Sequence, residues 1–152
     1  MHARREVICC LCATPLLTPL SAFAAAADAV PADARIEPAD LAALLKGGSK
    51  PVVLQVGFKT LYDQAHIPDA QYAGPGNSDD GLANLKSHVA ALPHDSALVI
   101  YCGCCPWGHC PNIGAAYSTL QAMGFTKVKA LYIAGNFGTD WADKGYPVVR
   151  GG

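Results

Sequence analysis

Four of the chain's seven cysteines crowd into one short stretch, Cys102-Gly103-Cys104-Cys105-Pro106-Trp107-Gly108-His109-Cys110-Pro111-Asn112. Thiols are nucleophiles and soft ligands once ionised. Clustered this tightly, they read as a site rather than as staples between distant segments. A single activated thiol, Cys102, is one chemistry that fits. A dithiol redox pair, Cys102-x-x-Cys105, is another, with Cys110 as a further low-pKa thiol. A third is a soft or borderline metal, Cu or Zn, held by Cys102, Cys105, His109 and Cys110. Cys104 adjoins Cys105, so the two cannot easily ligate one ion together. A structural disulfide closing the loop is the plainest alternative.

Activating a thiol requires elements that aim charge at it. Ala97 to Tyr101 is a short apolar strand that runs straight into Cys102. Asn112 is placed to cap a helix with Ile113, Ala116, Tyr117 and Leu120 inward, ending at Gly124. A cysteine between a strand end and a helix N-terminus faces backbone N–H groups and the positive helix end, which stabilise a thiolate on Cys102.

The remaining pattern alternates in the same way. Pro38 and Asp40 open a helix carrying Leu41, Leu44 and Leu45, closed by Gly47-Gly48. Val52, Val53, Leu54 and Val56 form a strand. Tyr62 to Ala70 is a turn-rich piece, and Gly74 to Gly81 is a loop. Asp80 is placed to cap a helix bearing Leu82, Leu85, Val89 and Leu92. Lys127 to Ile133 alternates as a strand, and Thr139 starts a short helix through Lys144. Strands separated by helices imply βαβ units and a parallel sheet. Ligands of such α/β sheets bind beyond the carboxyl ends of the strands, which is where Cys102 falls.

Several segments together resemble the rhodanese-like (sulfurtransferase) domain family. They are Ala65-His66-Ile67-Pro68-Asp69-Ala70, Leu98-Val99-Ile100-Tyr101-Cys102 followed by a loop and helix, Gly124-Phe125-x-Lys127-Val128, Gly135, and Trp141-x-x-x-Gly145-Tyr146-Pro147-Val148. The resemblance implies a single α/β domain with a parallel five-stranded sheet and helices on both faces. It implies that Cys102 is the catalytic nucleophile and carries a persulfide, cradled by Gly103, Cys104, Cys105, Pro106 and Trp107. Cys105, then Cys110, then Cys104 are the candidates to relay or resolve sulfur. His66 is structural in the matching motif. The implied reaction moves sulfane sulfur from a small donor to a thiol or other thiophilic acceptor, a protein among the candidates, and requires no cofactor.

The loop departs from the family. It is longer than usual and holds no Arg or Lys, and the family's Asp and Arg after the first strand are replaced by Gln55 and Gly57. With no loop cation to pair with a dianion, thiosulfate is expected to bind weakly.

Residues 1–24 read as a signal peptide. Arg4-Arg5 is twin-arginine-like, an apolar stretch from Val7 to Leu20 is broken by Pro15 and Pro19, and Ala22-Phe23-Ala24 is a small-x-small cleavage pattern. Cys9, Cys10 and Cys12 would leave with it, and the product would be periplasmic or secreted. Residues 25–34 are expected as an Ala-rich linker and 35–152 as the domain. The chain's 152 residues suit one domain. Eleven basic against twelve acidic residues leave no nucleic-acid footprint. No run of 18 apolar residues is present, so no membrane span is expected.

Overall fold

A computed structural model describes residues 29–151. The expected signal peptide lies outside the described residues. Within them, no helix is long and apolar enough to cross a membrane.

The sheet grows from three apolar strands: β2 (Val52–Gln55), β5 (Leu98–Tyr101) and β6 (Val128–Leu131). All four residues of β5 are buried, as its central place demands. Two-residue strands complete the edges, β1 (Arg35–Ile36) beside β6 and β4 (Gln71–Tyr72) beside β2. The order is β1-β6-β5-β2-β4, every neighbouring pair parallel. This is the expected five-stranded parallel sheet. A separate antiparallel ribbon joins β3 (Ala65–His66) to β7 (Val149–Arg150).

Strand side chains alternate between two cores. Leu98 and Ile100 of β5 join Leu54, Val128 and Ala130 on one face. That face is covered by α3 (Asp79–Val89), through Leu85 and Val89, and by α4 (Ile113–Ala122), through Ile113, Ala116 and Leu120. Val99 and Tyr101 point the other way, onto Leu41 of α1 (Pro38–Lys46), Ile67 and the fully buried Trp141. The Trp141 indole N–H donates to the Pro147 carbonyl at 2.8 Å, tying the chain end to this face. His66 stacks on Tyr62, with its Nδ1 2.8 Å from the Tyr62 carbonyl, a contact that holds its turn.

Several local expectations are corrected. The 25–34 linker does not extend through its second half: Val30 is fully buried in the core and Ala32–Ala34 form a 3-10 turn. The sequence signal was masked because one apolar residue among alanines carries no periodicity. Ser78, not Asp80, caps α3, its hydroxyl accepting from the Gly81 N–H at 3.1 Å. The turn-rich piece contains a short helix, α2 (Lys59–Gln64). The last helix is one wide turn, Gly138–Ala142, in which the Asp143 N–H reaches back to the Gly138 carbonyl.

Candidate active site

Central strand β5 ends at Tyr101 and delivers Cys102 to the floor of a cleft of about 440 Å³ at the carboxyl edge of the sheet. Gln55, at the end of β2, turns inward beside it and is buried. Its Nε2 donates to the Cys102 carbonyl at 3.2 Å, and its Oε1 accepts from the Gly57 N–H at 3.2 Å. One side chain thus locks two neighbouring strand ends together. Gly57 is small for a steric reason: a Cβ there would stand 3.0 Å from both Cys102 Sγ and the Cys102 carbonyl oxygen.

Gly103 then reverses the chain. Its φ of +75° lies in the left-handed region that glycine adopts freely, and a Cβ would meet Phe137 Cβ at 2.7 Å. The reversal folds Cys104 back, so that its Sγ lies 3.0 Å from Cys102 Sγ. This corrects the ranking that placed Cys104 last as a partner. Cys104 is the nearest thiol, and Cys105 lies one step further out, its Sγ 3.0 Å from that of Cys104. Spacing alone favoured Cys105 because it ignored the turn at Gly103. All four loop cysteines are free thiols.

Cys110 returns to the cluster at the end of the loop. The Sγ atoms of Cys102, Cys104 and Cys110 all lie within 4.8 Å of one another. His109, expected as a metal ligand, is exposed and outside this triangle, and Cys105 is outside it as well. A 3-10 turn over Trp107–His109 spends its residues on the core rather than on the sulfurs. Trp107 is buried against Tyr132 with the Arg35 guanidinium 5.1 Å from its ring centroid. The Trp107 backbone N–H donates to the Ala134 carbonyl, and Pro106 has no N–H, so neither contributes an amide to the expected persulfide cradle. The Cys104 N–H does face Cys102 Sγ.

Asn112 supplies what the sequence reading assigned to helix capping. It is fully buried and makes no side-chain cap. Its Oδ1 accepts from the Asn77 N–H at 3.1 Å, while its Nδ2 donates to Cys102 Sγ at 3.3 Å and lies 3.8 Å from Cys104 Sγ. Among known signals, Asn before an apolar helix face reads as a cap, and nothing local says otherwise.

Charge is shared unevenly among the thiols. Hydrogen bonds from Cys102 and Cys104, then the N–H groups of Asn112 and Ile113 at the start of α4, hold Cys110 well below the usual thiol range. The Cys104 hydrogen bond pulls Cys102 down, but its bond to Cys110, burial and the charge of Cys110 outweigh it and push Cys102 up. Cys104 is raised chiefly by its hydrogen bond to Cys102. The N–H groups at the start of α4 thus add to the lowering of Cys110, where the sequence reading aimed them at Cys102. The loop carries Cys110 to that end.

Residues remote in sequence finish the cleft. Phe137 and Asn136 line it on one side, with Gln64 at the end of α2 and Arg150 of β7. Arg150 is a cation the loop lacks, and its distance along the chain hid it.

Comparison with known proteins supports the same frame. The Rhodanese-like domain description matches residues 37–135. The chain superposes on the BH2092 protein from Bacillus halodurans with a TM-score of 0.59 at 24% identity, covering 76% of each chain. It superposes on the rhodanese-like domain of the Alr3790 protein from Anabaena with a TM-score of 0.57 at 18% identity, covering 77% of this chain and 79% of that one. For protein hp1203 from Helicobacter pylori the TM-score is 0.52 at 18% identity, covering 78% and 91%. No curated protein matches. With the fold, the strand-end cysteine and the matched segment in agreement, the chain belongs to the rhodanese-like domain family.

Proposed function

We propose that this chain is an exported sulfurtransferase that carries sulfane sulfur as a persulfide on Cys102 and passes it to a thiophilic acceptor. The observation that carries the reading is Cys102 at the end of the central strand, opening into the cleft, with Cys104 Sγ 3.0 Å away. In the first half-reaction the Cys102 sulfur attacks the outer sulfur of a donor R–S–SH. The donor's S–S bond breaks, R–SH leaves with the proton, and Cys102–S–SH remains. An acceptor thiol then takes the outer sulfur, and the Cys102 thiol is restored.

Cys104 offers an internal route. It accepts the outer sulfur and presents it to the cleft, since it is half-buried where Cys102 is buried. If Cys104 attacks the inner sulfur instead, a Cys102–Cys104 disulfide forms and hydrosulfide leaves. An external dithiol must then reduce the pair. The redox reading of the loop therefore moves from Cys102/Cys105 to Cys102/Cys104.

The test is intact mass of the reduced chain after exposure to a persulfide donor and removal of excess. The expected result is a gain of about 32 Da, one sulfur, that a thiol acceptor removes. The gain should vanish in Cys102→Ser. A full-size gain in that variant overturns the assignment of Cys102 as carrier.

A further inference from the structure

Three sulfurs in a triangle can hold an ion as well as a sulfur atom. The Sγ atoms of Cys102, Cys104 and Cys110 lie within 4.8 Å of one another. A planar three-coordinate centre with metal–sulfur bonds of about 2.3 Å keeps its ligands about 4.0 Å apart. The triangle already brackets that spacing. Its short edge, 3.0 Å between Cys102 and Cys104, has to open, and Cys104 is the half-buried member that lines the cleft.

The donor set selects the ion. It is all sulfur, and soft thiolates favour Cu(I), Zn and iron–sulfur centres over hard cations. A closed zinc site requires a fourth protein ligand in tetrahedral geometry. The converging set offers three: His109 is exposed and outside the triangle, and Cys105, although its Sγ lies 3.0 Å from that of Cys104, is not within 4.8 Å of all three sulfurs. The surroundings suit a held ion. The buried Asn112 amide donates to Cys102 and approaches Cys104, which orients two of the three ligands. Asn112 is fixed in turn by the Asn77 N–H. The cleft gives the ion a path in.

We propose that Cys102, Cys104 and Cys110 form a three-coordinate, all-thiolate site for Cu(I). On binding, three Cu–S bonds form, any proton still on a ligating thiol passes to solvent, and copper remains Cu(I). The proposal stands on the triangle and not on the sulfurtransferase reading, although the ion and a persulfide on Cys102 exclude each other.

The full chain, reduced and kept anaerobic, is titrated with Cu(I) against a chromophoric Cu(I) chelator, and the loaded protein is examined by X-ray absorption. The expected outcome is one copper per chain surrounded by three sulfurs at about 2.3 Å. Cys104→Ser and Cys110→Ser should each weaken binding at least about tenfold and lower the sulfur count, while Cys105→Ser leaves both unchanged. A two-sulfur centre, a requirement for Cys105, or Zn(II) held as tightly as Cu(I) overturns the proposal. The sulfur count on the unmutated chain decides the matter even if Cys110→Ser does not fold. A chain that moves sulfur but binds no Cu(I) sinks this inference alone. One that binds Cu(I) but gains no sulfur sinks only the sulfurtransferase reading.

Discussion

Two clefts of similar size lie at opposite ends of the same parallel strands, about 440 Å³ at the carboxyl edge and about 480 Å³ at the amino edge. The second is lined by Pro51, Ala97, Leu98 and Val128 with Lys127 and Lys129, and holds no cysteine. The first holds Cys102, Cys104 and the buried Gln55 clamp. Volume does not separate them; chain direction does. In a parallel sheet every strand leaves toward the same edge and every helix begins there, so N–H groups and loop side chains converge at that edge only. What marks the first cleft as the site is this convergence.

Removing the strand-end sulfur should break the comparison most severely. Cys102→Ser is expected to cut sulfur transfer by at least about a thousandfold, because the hydroxyl is a far poorer nucleophile at neutral pH. Urea unfolding should stay within about 1 kcal/mol of the parent. Lys127→Ala, at the opposite cleft, should leave the transfer rate unchanged. Comparable losses from both substitutions would erase the distinction between the two edges.

Gly57→Ala comes next. The added methyl would sit 2.9 Å from Gln55 Nε2 and 3.0 Å from Cys102 Sγ. Either the clamp or the sulfur must move. We expect a stability loss of about 1–3 kcal/mol, as for other overpacked sites, together with slower transfer. Transfer at the parental rate with unchanged unfolding would show that the sulfur does not occupy this space in solution.

Asn112→Ala should be felt somewhat less in the rate and as much in stability. The substitution strands the Asn77 N–H and strips Cys102 of its amide donor. Truncating the fully buried side chain removes both hydrogen bonds and leaves a cavity, at a cost of about 1–3 kcal/mol. If Asn112 were merely a helix cap, Asn112→Ser would restore stability, since Ser caps well. The geometry says that it should not, because a hydroxyl is too short to serve both Asn77 and the sulfurs. Denaturation of the two variants side by side tests this.

These positions show why the fold was more legible than the site. Val52–Gln55, Leu98–Tyr101 and Val128–Leu131 are apolar enough to declare themselves buried strands, and their order with the helices dictates a parallel sheet. The two-residue strands β1, β3, β4 and β7 cannot show an alternation, so tertiary pairing alone defines them. At the site, the identity of the cysteines was plain and their arrangement was not. A single left-handed residue, Gly103, decides which thiol meets Cys102. Asn112 could be recognised as a sulfur donor only once the loop was seen to close over it. Trp107 looked like part of a cradle because it follows the cysteines, yet its side chain is drawn into the core beside Tyr132.

The smallest expected effect concerns Arg150, which sharpens the comparison between the two edges by asking how much charge the site adds. The loop lacks a cation, and Arg150 lines the cleft from β7, but it is exposed to solvent. Exposed ion pairs contribute about 0.2–1 kcal/mol, so Arg150→Ala should raise the KM for thiosulfate by no more than about fivefold, leaving kcat unchanged. An uncharged organic persulfide donor should show no change. Thiosulfate itself should bind weakly to the parent, since one screened guanidinium is a poor match for a dianion that needs convergent, charge-assisted donors. Added salt should narrow the difference between parent and variant, because screening acts on the exposed charge and not on buried amides. A KM in the micromolar range that Arg150→Ala raises a hundredfold would mean that the guanidinium folds into the cleft and is shielded there. The carboxyl-edge cleft would then be an anion site assembled by the β3–β7 ribbon rather than a thiol site that tolerates an anion.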